Sequence, residues 1–184
     1  MDKSREIKIS KFLSKHLRHT PELLKLSLTA GGWVEVDELL TACASHNFPI
    51  SRTELEQVVK NSDKQRFSFD ETGTKIRANQ GHSVTVDLQL KRQIPPDILY
   101  HGTGEKSVPA ILQSGILKMS RHHVHLSQDI ETARKVGIRH GSPVIFSVDA
   151  MVMYQAGFTF YCSENGVWLV DHVPPQYLTV MVAE

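Results

Sequence analysis

The sequence predicts an α+β protein built as two lobes, and three observations lead there. Helical-period apolar runs mark the first half, at Ile9, Phe12, Leu13, His16 and Leu17 and again at Leu55, Val58 and Val59. Apolar strands dominate the second half, five or six of them with two short helices. A stretch from Lys91 to the Pro95-Pro96 pair reads as a linker, so the lobes are residues 1–90 and 91–184, with the boundary within 83–95.

In the first lobe, Lys8, Lys11, Lys15 and Arg18 recur at a second helical spacing and form a basic face on the opening helix. Pro21 stops that helix near Thr20, which leaves Arg18 and His19 in its last turn. Solvated charge and complementation of the helix dipole are the ordinary readings of these cations. Leu24, Leu26 and Leu28 alternate like a short strand, Ala30-Gly31-Gly32 turns the chain, and Trp33 to Val36 reads as another strand. A helix follows over Asp37–His46. Ser51 with Glu54 is a capping box that opens the next helix. Arg66-Phe67-Ser68-Phe69 and Lys75-Ile76-Arg77-Ala78 flank Glu71-Thr72-Gly73 as a hairpin. Helix, turn, helix, hairpin is the order of a winged helix, a module that often binds nucleic acid.

In the second lobe, Ile98 to Thr103 is a strand that runs into a turn. A helix over Lys106–Gln113 ends at Gly115. Asp129 opens a helix to Val136. Val144–Val148, Phe158–Tyr161, Val167–Val170 and Tyr177–Met181 are strands.

The stretch Arg121-His122-His123-Val124-His125-Leu126-Ser127 stands out. If it is extended, Arg121, His123, His125 and Ser127 share one face, and His122, Val124 and Leu126 share the other. A cation, two imidazoles and a hydroxyl on one face suit an anionic ligand or a metal.

Composition narrows the classes. The 184 residues with 40% apolar content are enough for a core. Net charge is +1. Residues 1–92 hold 15 Lys and Arg against 12 Asp and Glu, and residues 93–184 hold 6 against 8. Anion binding must therefore come from local clusters. Ten histidines are many for this length. Two distant cysteines, Cys43 and Cys162, fit a reducing compartment and argue against a Cys-ligated zinc site. With no run of 18 apolar residues and no signal-peptide core, a soluble cytoplasmic protein is the expectation. A monomer is expected.

Six motifs together go further: Ser10-Lys11-Phe12-Leu13-Ser14 with Leu17-Arg18-His19, Arg77-Ala78-Asn79-Gln80-Gly81-His82-Ser83, Tyr100-His101-Gly102-Thr103, Arg121 to Ser127, Arg139-His140-Gly141-Ser142-Pro143, and Glu164-Asn165-Gly166-Val167-Trp168. In this order and at these separations the set closely resembles the NAD-dependent RNA 2′-phosphotransferases, over nearly the whole chain. The resemblance implies an N-terminal winged-helix RNA lobe joined to a C-terminal ADP-ribosyltransferase-like NAD lobe. It implies removal of an internal RNA 2′-phosphate, as left on tRNA by some ligation pathways, with NAD consumed and no metal. The 2′-phosphate displaces nicotinamide. The ribose 2″-hydroxyl then attacks phosphorus, leaving 2′-OH RNA and ADP-ribose 1″,2″-cyclic phosphate. The family's catalytic set carries over to Arg18, His19, Arg66 and Arg121, with Lys11 added at the substrate phosphate. The NAD contacts implied are His101, Gly102, Thr103, His125, Ser127, Arg139, His140, Asn165 and Gly166. Val167 stands where many ADP-ribosyltransferases carry glutamate.

The chemistry fits those residue types. Arginine presents a planar fork that grips phosphate bidentately and does not deprotonate. Histidine titrates near neutrality and suits proton transfer. A phosphomonoester nucleophile is already anionic near neutral pH, so it needs no glutamate beside it and would be repelled by one. His101-Gly102-Thr103 lets the backbone approach a ligand. Three other readings remain open on the residues alone. They are a metal held by His123 and His125 with His101 or His140, a non-enzymatic winged-helix nucleic-acid binder, and an ADP-ribosyltransferase acting on nucleic-acid terminal phosphates.

Overall fold

The computed structural model describes residues 1–62 and 64–181. Asp63, on the approach to Arg66, lies outside them. The fold is α+β, with six α-helices and four small antiparallel sheets among the described residues. The chain divides into two compact units, Met1–Leu90 and Lys91–Glu184.

In the first unit, α1 (Lys3–Arg18) starts at Asp2, whose carboxylate accepts the Arg5 N–H at 2.9 Å. Ile9, Leu13, His16 and Leu17 line its buried face. The predicted strand at Leu24, Leu26 and Leu28 does not form. Pro21 instead initiates a 3-10 turn over Pro21–Leu24, and Lys25 closes it in the left-handed region. The alternation still has a physical cause, because Leu24 and Leu26 are buried. Strand β1 (Trp33–Glu35) leads into α2 (Val36–Ser45), and α3 (Arg52–Lys60) follows. Helix α3 carries the capping box in full: the Ser51 hydroxyl accepts the Glu54 N–H at 3.2 Å, and Glu54 accepts the Ser51 N–H at 2.9 Å. Strands β2 (Phe67–Phe69) and β3 (Lys75–Ala78) pair antiparallel, and β3 lies central in the order β1-β3-β2. Gly73, with φ +70°, takes the left-handed position at the hairpin tip. The helices and this sheet close one core around Ile9, Leu13, Leu39, Leu55, Phe67 and Ile76.

In the second unit, β4 (Ile98–Gly104), β7 (Pro143–Asp149) and β11 (Leu178–Met181) form a sheet in the order β11-β7-β4. Strands β6 (Val124–Leu126), β8 (Tyr161–Cys162) and β9 (Trp168–Val170) form a second, in the order β6-β9-β8. Tyr100 and Ser127 join the two by exchanging both backbone hydrogen bonds, each 2.8 Å. A small ribbon pairs β5 (Ile116–Leu117) with β10 (His172–Val173). Helix α4 (Val108–Ser114) ends at Gly115, and α5 (Ile130–Gly137) is capped by Asp129, which accepts the Thr132 N–H at 2.7 Å. A third helix, α6 (Ala150–Gln155), lies where two were expected. It follows β7 directly, with Asp149 at its N-cap making no side-chain cap hydrogen bond. Phe158–Phe160 is irregular rather than strand; the fully buried Phe160 explains its apolar character. Leu99, Phe146, Val148, Met153 and Phe160 form the heart of this core.

No helix among the described residues is long and apolar enough to cross a membrane.

Candidate functional site

In the first unit, the C-terminal end of α1 gathers several of the expected residues. Arg18 is the last helical residue and His19 its cap. The Arg18 carbonyl, left orphaned by the helix end, accepts the Ser83 and Val84 N–H groups at 2.9 and 3.4 Å. The Arg18 guanidinium donates through Nη2 to the Arg66 carbonyl at 3.5 Å and lies 5.9 Å from the Phe67 ring centre. His19 Nδ1 is 2.9 Å from the Ser83 hydroxyl.

Arg66 enters β2 after Gln65, which sits at φ +39°. Asn79 fixes this corner: its N–H donates to the Arg66 carbonyl at 3.0 Å and its Nδ2 to the Gln65 carbonyl at 2.6 Å. Arg18, His19 and the Arg66 backbone therefore belong to one hydrogen-bonded locality. Lys11 is exposed two helical turns earlier on α1. His82 is fully buried.

In the second unit, the stretch Arg121–Ser127 is strand only over Val124–Leu126; residues 121–123 form a bend. The expected single face is therefore broken at its N-terminal end. Arg121 still reaches His125, with Nη1 2.8 Å from Nδ1. Guanidinium can only donate, so this His125 nitrogen accepts and the neutral ring carries its proton on Nε2. His123 departs from the pair and packs edge-to-face on Tyr161 at 5.4 Å. Its pKa is held below the ordinary value by burial first, with His122 and Lys118 adding to the effect.

His101 lies on β4, directly after the Tyr100–Ser127 bridge. Its Nδ1 is 3.1 Å from the His125 carbonyl, so Nδ1–H donates. Burial lowers the His101 pKa, against the opposing effect of that hydrogen bond. A neutral His101 then presents Nε2 as an acceptor. Thr103 is buried beside it on the strand. Gly102 has a packing reason within the fold. A Cβ there would fall 1.7 Å from the Ala133 carbonyl, so the glycine admits helix α5 against β4. Gly104 likewise admits the His140 carbonyl, which a Cβ would meet at 2.2 Å. Arg139 and His140 are exposed in a 3-10 turn after α5.

Asn165 and Gly166 form the turn between β8 and β9. Gly166 takes φ +75°, and the Ser163 hydroxyl lies 2.6 Å from Asn165 Oδ1 and accepts the Val167 N–H at 3.2 Å. Val167 is half-buried at the base of this turn. No group of three or more His, Cys, Asp or Glu side chains is arranged to hold a metal among the described residues.

Ser83 is the residue that sequence reasoning left without a role. It lies 64 positions from His19, and no local pattern announces that contact.

The profile of the RNA 2′-phosphotransferase, Tpt1 / KptA family matches residues 4–172. The chain is 81% identical over 181 residues to a probable RNA 2′-phosphotransferase of Trichormus variabilis, covering 98% of this chain and 100% of that one. It is 67% identical over 178 residues to the similarly named protein of Nostoc punctiforme, covering 97% and 98% of the two chains. With that of Herpetosiphon aurantiacus the identity is 57% over 180 residues, covering 98% and 99%.

Proposed function

Because the chain belongs to the RNA 2′-phosphotransferase, Tpt1 / KptA family, we propose that it removes an internal 2′-phosphate from RNA and passes it to NAD. The observation that supports this best is the locality of Arg18, His19 and Arg66 at the end of α1. The Arg18 guanidinium and the His19 imidazole, on a frame that also ties down the Arg66 backbone, offer the charge and the proton carrier that a phosphate in transfer needs.

Residues 1–90 act as a winged-helix-like RNA lobe and residues 91–184 as an ADP-ribosyltransferase-like NAD lobe. Arg18, Arg66 and Arg121 hold the phosphate charge through both displacements, with Lys11 adding a point charge. The 2′-phosphate displaces nicotinamide from the ribose. The ribose 2″-hydroxyl then bonds to phosphorus as the bond to the RNA 2′-oxygen breaks, its proton passes by way of His19 to that oxygen, and ADP-ribose 1″,2″-cyclic phosphate is the other product.

The residues of the second unit fit NAD as a co-substrate. His101 offers an uncharged acceptor, and Thr103 and Ser127 offer hydroxyls, the partners an amide and a ribose require. Val167 in place of a carboxylate leaves the anionic nucleophile unopposed.

The test is one incubation with NAD and a short RNA that carries a single internal 2′-phosphate. The expected result is 2′-OH RNA, nicotinamide and the cyclic phosphate in equal amounts. Unchanged RNA and NAD overturn the reading; ADP-ribosylated RNA that persists confines the activity to the first displacement.

A further inference from the structure

We propose that His125 is a positioning residue that aims Arg121, and that it acts as a fixed acceptor rather than as a contact to NAD. The inference rests on the reading that Arg121 holds the substrate phosphate.

Arg121 needs such a partner. It is exposed on the bend between β5 and β6, and among the described residues its backbone is tied to the adjacent turn, through its N–H to the Lys118 carbonyl at 3.1 Å. A long side chain there has many rotamers to lose when it closes on a phosphate.

His125 is placed differently. It lies in β6 opposite Leu169 of β9, between the buried Val124 and Leu126. Its carbonyl receives the His101 Nδ1–H, and Ser127 two residues on is bridged to Tyr100. The imidazole is thus mounted on a strand that is held on both sides.

The direction of the Arg121–His125 bond is forced. Arginine has five N–H donors and no acceptor, so Nη1 donates and the Nδ1 lone pair of a neutral imidazole receives. Of the five donors, one is spent on aim and four remain for phosphate oxygens. Asparagine at 125 keeps an acceptor close to the Nδ1 position, and leucine keeps the bulk and removes the acceptor.

The test compares the wild type with Arg121→Lys, His125→Asn, His125→Leu and the Arg121→Lys/His125→Leu double variant. Each is assayed in single turnover with NAD and a 2′-phosphorylated RNA oligonucleotide. His125→Leu is expected to lower kcat/KM for the RNA about tenfold, and the double variant to be no worse than the poorer single one, because both changes remove one interaction. His125→Asn is expected to recover most of the loss. The KM for NAD stays within about twofold throughout. Imidazole ¹⁵N spectra of the wild type are expected to show His125 as the Nε2–H tautomer, and Arg121→Lys to shift its Nδ1 resonance.

A raised KM for NAD with the RNA constant unchanged, additive losses in the double variant, or an Nδ1–H tautomer overturns the proposal. If His125→Leu does not fold, the asparagine variant and the spectra carry the test. If the wild type releases no nicotinamide, the functional reading fails. The tautomer, and oligonucleotide affinity measured by fluorescence anisotropy across the variants, then still decide whether His125 aims Arg121.

Discussion

Ser83 holds His19 through its hydroxyl, 2.9 Å from Nδ1, while its N–H donates at 2.9 Å to the carbonyl of Arg18. One serine thus fixes the helix end and the ring next to it. The hydroxyl contact at Nδ1 sets the orientation of the ring. Ser83→Ala is expected to lower the single-turnover rate about tenfold, a part of the 10²–10⁴ that a positioned acid or base supplies. Ser83→Thr should keep most of the activity, since the hydroxyl and the backbone bond persist. Unchanged rates in Ser83→Ala would separate His19 orientation from the chemistry.

Lys8, Lys11 and Lys15 are exposed on α1 at helical spacing with Arg18, and the ion pairs among the described residues include none of the three lysines. Repulsion along such a row is unfavourable unless an anion offsets it. Replacing all three by glutamine is expected to weaken RNA binding and to flatten its salt dependence by as much as about 0.7 in the log–log slope for each lysine. Titrations at several salt concentrations read the slope directly; an unchanged slope means that the RNA does not use this face.

Gly102→Ala should destabilise the second unit severely. The new methyl would sit 1.7 Å from the Ala133 carbonyl, in backbone that has nowhere to move. A loss above about 4 kcal/mol, or failure to accumulate as soluble protein, is the expected outcome. Urea denaturation with the midpoint near that of the wild type would refute it.

Ser51→Ala removes one half of a reciprocal cap and leaves the Glu54 N–H without its partner. The cost expected is about 1 kcal/mol, read as a lower urea midpoint with an unchanged m-value. Ser51→Asp, which restores an acceptor, should recover most of it.

The Arg5 hydrogen bond, followed by that from the Ser51 N–H, lowers the Glu54 pKa from 4.5 to about 2. The folded-state pKa lies below the unfolded one, so ionised Glu54 stabilises the protein fully above pH 4.5. That contribution fades as pH falls towards about 2. Urea midpoints at pH 7, 4 and 3 should therefore show a gap between the wild type and Glu54→Gln that narrows with acidification. A gap that is constant over this range contradicts the assignment.

Much of the first unit was legible because its signals are local. The stripe of Ile9, Leu13 and Leu17, the Ser51–Glu54 box and the hairpin around Gly73 each lie within a few residues. The leucine alternation misled because burial of Leu24 and Leu26 has the same period in a 3-10 turn followed by extended chain as in a strand. The second unit was harder. Apart from the β8–β9 hairpin its sheets are made by long-range pairing, and β5, β8 and β10 are two residues each, too short to leave a pattern. At the site, residue types were readable and contacts were not. The bend at Arg121–His123 splits a face that perfect alternation would have kept whole, and Ser83, Tyr161 and Ala133 meet His19, His123 and Gly102 only through the fold.

The Tyr100–Ser127 bridge ties β4 to β6 beside two histidines. His101 comes immediately after one partner and His125 two residues before the other, so two backbone hydrogen bonds, with the His101 Nδ1–H bond to the His125 carbonyl, set the spacing of the imidazole mounts. The same two amides serve as a built-in gauge. Their hydrogen-exchange protection should rise when a ligand locks β4 to β6 and fall when it pries them apart, even if neither tyrosine nor serine side chain touches that ligand.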